Sequence, residues 1–303
     1  MIDITRPPST RIFGIVARKS PRALILRRGP SKQVLAILWH TDTDEFHAGQ
    51  WFKGRIHEHR CDLSPSGTRF IYYAESHRGP FKQWTAISRP PFLTALALWA
   101  GGGSFGGGGI FDGERAIRLN NGGLKLRPEK NFRLPPSFVV KPYLANENPK
   151  QLWPLERSLL QRNEWRWHKQ GEWKRIRRDG RTDFAMKSPE VWWKVRGNWI
   201  LELSLHGPGE PGESRHKSSY RILDLAGNEM RDMGRSDWAD WSIDGQVLLG
   251  RAGRMWRVPV SHKAGPGEPR ELIDLRSHRF FATPPPDEAK IWTGEEPVGR
   301  KIE

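Results

Sequence analysis

The chain has 303 residues and only 36% hydrophobic content, but 15 Trp and 13 Phe supply bulky apolar side chains from which a core can be built. Its 31 Gly and 24 Pro exclude long helices and its single cysteine, Cys61, excludes an intrachain disulfide; its apolar stretch "FLTALALWA" (92–100) is half the length of a membrane span. A net charge of +16 attracts polyanions and equally serves plain solubility; with no signal-peptide pattern at the start, the expectation is a cytoplasmic protein without membrane insertion.

In chain order, "RIFGIVARKSPRALILRRGPSKQVLAILWH" (11–40), continued by "QWFKG", alternates strand-like runs with breaks and reads as a first strand group over 11–56. A second group spans 57–100. There "HRCDLS" runs in, "PSG" turns, "TRFIYYAE" runs back, and "KQWTAIS" and "TALALW" follow. Pro90 and Pro91 interrupt this stretch amid apolar residues and are read as core. His57, His59 and Cys61 alternate at its start. On one strand they would share a face, with ligand types that suit zinc and His40 or His47 as a fourth ligand. Same-face neighbours lie about 7 Å apart, however, and the spacing matches no standard zinc motif. A polar face with Cys61 turned inward is the favoured reading, and no metal is assigned.

The Gly run "AGGGSFGGGGIF" contains Gly102, Ser104 and Gly106 in a G-x-S-x-G spacing, and Gly101, Gly103 and Gly106 in G-x-G-x-x-G. Both motifs need a helix directly after them, and the glycines followed by "IFDG" forbid one. The run is expected to be a loop before a third group that begins near 104. No cofactor and no small-molecule ligand is implied.

The stretch 127–181 is Pro-rich and basic, an insertion or a degenerate repeat, with a short helix expected over Leu155 to Arg162. It ends in "RNEWRWHKQGEWKRIRRDGR" (162–181), which carries eight basic against three acidic residues. Trp165, Trp167, Lys169, Trp173, Lys174, Arg175, Arg177 and Arg178 combine rings that stack bases with cations that neutralise phosphates, the ingredients of single-strand nucleic-acid binding. The same alternation also satisfies an ordinary hairpin with its tryptophans in the core.

A fourth group covers 182–234 ("EVWWKVRGNWILELSLHG", "SSYRILDLAGNEM") and a fifth 235–292, with 293–303 as a tail. The fifth repeats the second: "DWADWS", "IDG", "QVLLGR", "RMWRVPV" and "RELIDLR", with Ser242 and Gly245 standing 178 positions after Ser64 and Gly67. Ser caps local amides at such a corner and Gly accepts positive φ.

"DLSPSGTRFIYYA" and "DWSIDGQVLLGRAGRMWRVPV" resemble blades of the TolB/WD40-type β-propellers, with Ile243 where Pro is usual and Ser66 where Asp is usual. The resemblance covers roughly 90 residues and bears on fold rather than function. It implies an all-β, single-domain β-propeller of about five four-stranded blades beginning near 11, 57, 104, 182 and 236, or six if 127–181 supplies one. Among Asp62, Asp112, Asp237, Asp240 and Asp244 nothing marks a catalytic pair, and Asp112 and Asp244 fall at turns. The expected function is therefore non-catalytic binding, a scaffold for a protein partner. Nucleic acid engaged through 162–181 is one alternative, and a hydrolase or lyase acting at a propeller channel is the other.

Overall fold

The computed structural model describes residues 10–29, 32–76, 79–103, 106–121, 125–144, 154–178, 181–209, 216–293 and 299–303. The architecture is all-β, made of several antiparallel sheets with one helix of nine residues among the described residues. The chain forms two compact units: Phe13–Leu159 with His278–Glu303, and Met1–Ile12 with Leu160–Ser277.

In the first of these units, Arg11–Val16, Arg22–Arg28, Gln33–His40 and Glu45–Lys53 lie side by side, and the short strand Arg300–Ile302 adds to the edge of Glu45–Lys53. The second sheet contains Arg55–Ile56, Asp62–Leu63, Phe70–Glu75, Gln83–Ser88 and Ala97–Ala100. Its alternation explains its burial. Phe70, Tyr72 and Ala74 pack on Leu24, Leu26 and Val34 of the first sheet. The intervening Ile71, with Ile87, packs on Phe111, Ile117 and Leu119 of the third sheet. Each large apolar side chain buried in this way stabilises the fold by about 1.5–3 kcal/mol.

The third sheet, Gly109–Gly113, Ala116–Leu119 and Val139–Pro142, is antiparallel except that its last strand runs parallel to Ala116–Leu119. The expected helix is present as Pro154–Arg162. Its buried Leu155 and Leu159 close over Ile110 and Tyr143.

The other unit contains a five-stranded sheet, Arg166–Lys169, Glu190–Arg196, Trp199–Pro208, His216–Asp224 and Glu229–Arg235. The fifth sheet is Trp238–Trp241, Val247–Arg251, Arg254–Val258 and Arg270–Asp274. The two share one core, in which Trp192, Leu201 and Tyr220 meet Trp241, Val247 and Leu249. A separate hairpin, Glu172–Arg178 with Arg181–Ser188, lies between the first and second strands of the five-stranded sheet in sequence.

The repeated corner shares its Ser-x-x-Gly turn in both places, and the first copy is one residue longer before its returning strand. Gly67 N–H donates to Ser64 O at 2.9 Å and Gly245 N–H to Ser242 O at 3.1 Å, with φ of 76° and 80° at the glycines. Each buried serine hydroxyl accepts the amide that leaves the turn, from Arg69 at 3.2 Å and from Gln246 at 2.9 Å.

The stretch 127–181 is neither one insertion nor one extra repeat in its strand pairing. Val139–Pro142 joins the third sheet, whereas Arg166–Lys169 pairs with Glu190–Arg196 and so belongs to the fourth. Pairing between distant strands decides this, and local pattern carries no record of it. Pro90 and Pro91 are buried, as expected.

Candidate functional site

The chain around 162–178 is organised by where its helix stops. Glu164 takes a left-handed φ of 67°, and Trp165 N–H donates to Leu160 O at 3.0 Å, closing the helix end. This turn drives Trp165 into the core, 4% exposed beside Trp192 and Trp241. There the Lys194 ammonium lies 5.9 Å from the Trp165 ring centroid and pairs with Asp240 at 2.7 Å, with both charged groups buried. Trp165 is therefore a core residue, which corrects its expected place in a binding surface.

Beyond it the chain turns outward. Arg166–Lys169 is the edge strand of its sheet, and all four of its residues are exposed. Trp167 stands opposite Trp192 in the ladder but keeps 49% of its surface free. A register shift between Trp167 and Lys169 swings His168 onto Trp193, with ring centroids 3.4 Å apart and planes 12° from parallel. Trp193 is fixed from behind, since its Nε1 donates to Glu202 at 3.0 Å and Glu202 is itself held by Arg221.

Gly171 then allows the chain to pass close to its own sheet. A Cβ there would sit 2.9 Å from Glu190 N and 3.0 Å from Ser188 O, so Gly171 lies close against the chain that leaves the hairpin for Glu190–Arg196. On the hairpin, Trp173 pairs with Met186 and is 47% exposed, and Lys174 and Arg175 are exposed as well. Trp173 and Arg175 alternate onto one face and Lys174 onto the other. Arg177 and Arg178 lie on the same strand, opposite Thr182 and Arg181; their side chains fall outside the described residues.

Charge sets this segment apart. Elsewhere in the same unit Arg221, Arg231, Arg254, Arg257 and Arg276 each pair with a carboxylate. Glu172, the acidic residue between 166 and 178, is occupied by Lys187 at 3.1 Å. Arg166, Lys169, Lys174 and Arg175 have no carboxylate within ion-pair reach among the described residues. Unpaired cations here alternate with half-free rings, an arrangement suited to an anionic partner that also offers flat apolar surface.

The proposed zinc ligands diverge. Glu58–Arg60 forms a 3-10 turn, so the period-2 face expected on a strand does not exist. His57 lies 3.3 Å from Glu75, His59 packs on Phe13 and faces Glu156 at 3.2 Å, and the buried Cys61 thiol donates to His57 O. Among the described residues no three metal-ligating side chains converge.

His57–Glu75 and His59–Glu156 are two close histidine–carboxylate pairs in this region. Burial pulls the His57 imidazole down to about 4; Arg55 adds to this, and Glu75 opposes it. Its surroundings are committed to the Gly loop: Tyr73 OH donates to Gly103 O and accepts from Gly103 N–H, and Arg60 donates to Gly106 O at 2.6 Å. The cluster holds a loop in place, and as expected the loop leads into a strand, Gly109–Gly113, with no helix. Ser104 falls outside the described residues.

Sequence pattern had no means of separating Trp165 from Trp167, which share spacing and type. It also missed Trp193, His168 and the buried Lys194. The signal for the first was present in "EVWWKVR", where adjacent tryptophans on a strand must face opposite ways. No known family model matches the chain, and no curated protein matches it. The class defined by fold and site is an all-β protein with a cationic, aromatic edge.

Proposed function

We propose that the protein is a non-catalytic binding protein, a scaffold of stacked sheets in a propeller-type arrangement whose edge strand and hairpin, 166–178, engage an anionic macromolecular partner. The observation that carries the reading is the concentration of Arg166, Lys169, Lys174 and Arg175, without ion pairs among the described residues, beside exposed Trp167 and Trp173. Arg221, Arg231, Arg254, Arg257 and Arg276 of the same unit are ion-paired, whereas Arg196 and Arg251 have no ion pair among the described residues. The propeller part of the proposal draws its support from the unit Phe13–Leu159 with His278–Glu303. A sheet buried on both faces by the sheets before and after it, as the second is, matches how one blade packs between two others. The edge strand Arg166–Lys169 is paired to Glu190–Arg196, whose Trp192 belongs to the core, as suits a binding site carried on a folded scaffold.

The test is retention on an immobilised polyanion. The triple variant Lys169→Glu, Lys174→Glu, Arg175→Glu should elute at much lower salt than the parent, while charge reversal of three paired cations, Arg231, Arg254 and Arg276, should shift elution far less. Equal shifts for the two variants would show that only net charge matters and would remove the site.

A further inference from the structure

We infer that the partner is a single-stranded nucleic acid, whose bases stack on Trp167 and Trp173 while its phosphates are met by Arg166, Lys169, Lys174 and Arg175; this rests on the binding role proposed above. Three observations on the molecule carry it. First, cations flank both exposed indoles: Arg166 and Lys169 lie beside Trp167 on the edge strand, and Arg175 shares a face of the hairpin with Trp173, so phosphates can be met next to stacked bases. Second, both indoles keep about half of their surface free, at 49% and 47%, and Trp167 does so although its ladder partner Trp192 belongs to the core that also holds Trp165. A partner recognised by carboxylates alone has no use for that area. Third, this edge already supports a parallel ring stack, His168 on Trp193 at 3.4 Å, and the exposed His168 leaves its outer side available to continue the stack.

Duplex fits less well, because its bases are already stacked on each other and only the cations would engage it. An acidic protein would use the cations and leave the rings idle. Cationic residues on an edge strand also guard against sheet-to-sheet aggregation, and that role accounts for Arg166 and Lys169. It accounts for neither exposed tryptophan.

The experiment is fluorescence anisotropy of the nuclease-treated, full-length protein with three labelled probes: oligodeoxythymidylate, a duplex of equal length, and poly-glutamate, across a salt series. At about 150 mM salt the oligodeoxythymidylate should bind best, with log K falling against log salt at a slope of about −3 for four phosphates. Trp167→Leu and Trp173→Leu should each weaken it roughly 5- to 150-fold and leave poly-glutamate binding unchanged. Trp167→Phe, which keeps a ring, should recover most of the loss and controls for folding.

Equal binding of duplex, or tryptophan variants that bind the single strand normally, would overturn the stacking assignment while the polyanion role stands. Poly-glutamate binding as tightly as the oligonucleotide would assign the edge to an acidic protein. Loss of all three would remove both readings together.

Discussion

At Asp62 and Asp240 the chain places a buried carboxylate two residues ahead of the same Ser-x-x-Gly turn, and the two carboxylates hold different things. Asp62 accepts the Phe111 amide at 2.7 Å, a backbone group of the next sheet in its unit. Asp240 accepts the Lys194 ammonium at 2.7 Å, from the sheet that precedes it, along with the amide of Trp241. Five residues ahead of the first carboxylate lies the half-buried His57, and five ahead of the second lies the exposed Arg235. The turn is a local device and was copied. The anchor is a contact between sheets, and each copy solved it separately.

The largest difference should come from the anchors. Lys194→Met leaves Asp240 charged, buried and short of its partner, which costs about 3–5 kcal/mol in urea unfolding. Adding Asp240→Leu should recover most of that loss, because both charges are then gone. Asp62→Asn keeps an acceptor for Phe111 N–H and loses the charge reinforcement of that bond, about 1–2 kcal/mol. Equal costs at the two sites would break the contrast.

The turns themselves should differ less. Gly67 and Gly245 both need positive φ, so alanine at either costs about 1–2 kcal/mol. A Cβ at Gly67 would also meet Arg22 Cβ at 3.1 Å and Ala17 Cβ at 3.2 Å, whereas at Gly245 it meets only Arg196 Cγ at 3.8 Å. Gly67→Ala should therefore be the worse by about 1 kcal/mol.

A further effect appears only in acid. His57 titrates near 4 in the fold and near 6.5 when unfolded. The unfolded chain thus takes up the proton first, and the stability that neutral His57 contributes is complete above about pH 6.5 and lost as the pH falls towards 4. His57→Gln should flatten the urea midpoint across that window, while Arg235→Gln should leave it unchanged.

The contrast between turn and anchor also explains what the sequence made legible. The Ser-x-x-Gly corners, most of the strands around them and the helix near 155–162 follow from neighbours in the chain, although the run "HRCDLS" is strand only at Asp62–Leu63 and begins as a 3-10 turn. The parallel pairing of Val139–Pro142, the capture of Arg166–Lys169 by the fourth sheet and the burial of Lys194 depend on residues far along the chain. No periodicity records them. The candidate site shows the same division in a few residues: the basic, aromatic character of 162–178 was plain, but a helix end with a left-handed Glu164 decides that Trp165 faces inward and Trp167 outward.

The most direct test of the account is hydrogen–deuterium exchange of the whole protein with and without saturating oligodeoxythymidylate. Slowed exchange concentrated in peptides covering 166–178 and the facing strand Glu190–Arg196 is the predicted result. Protection that leaves this edge unchanged and appears elsewhere, around the Gly loop at 101–108 for example, would contradict it.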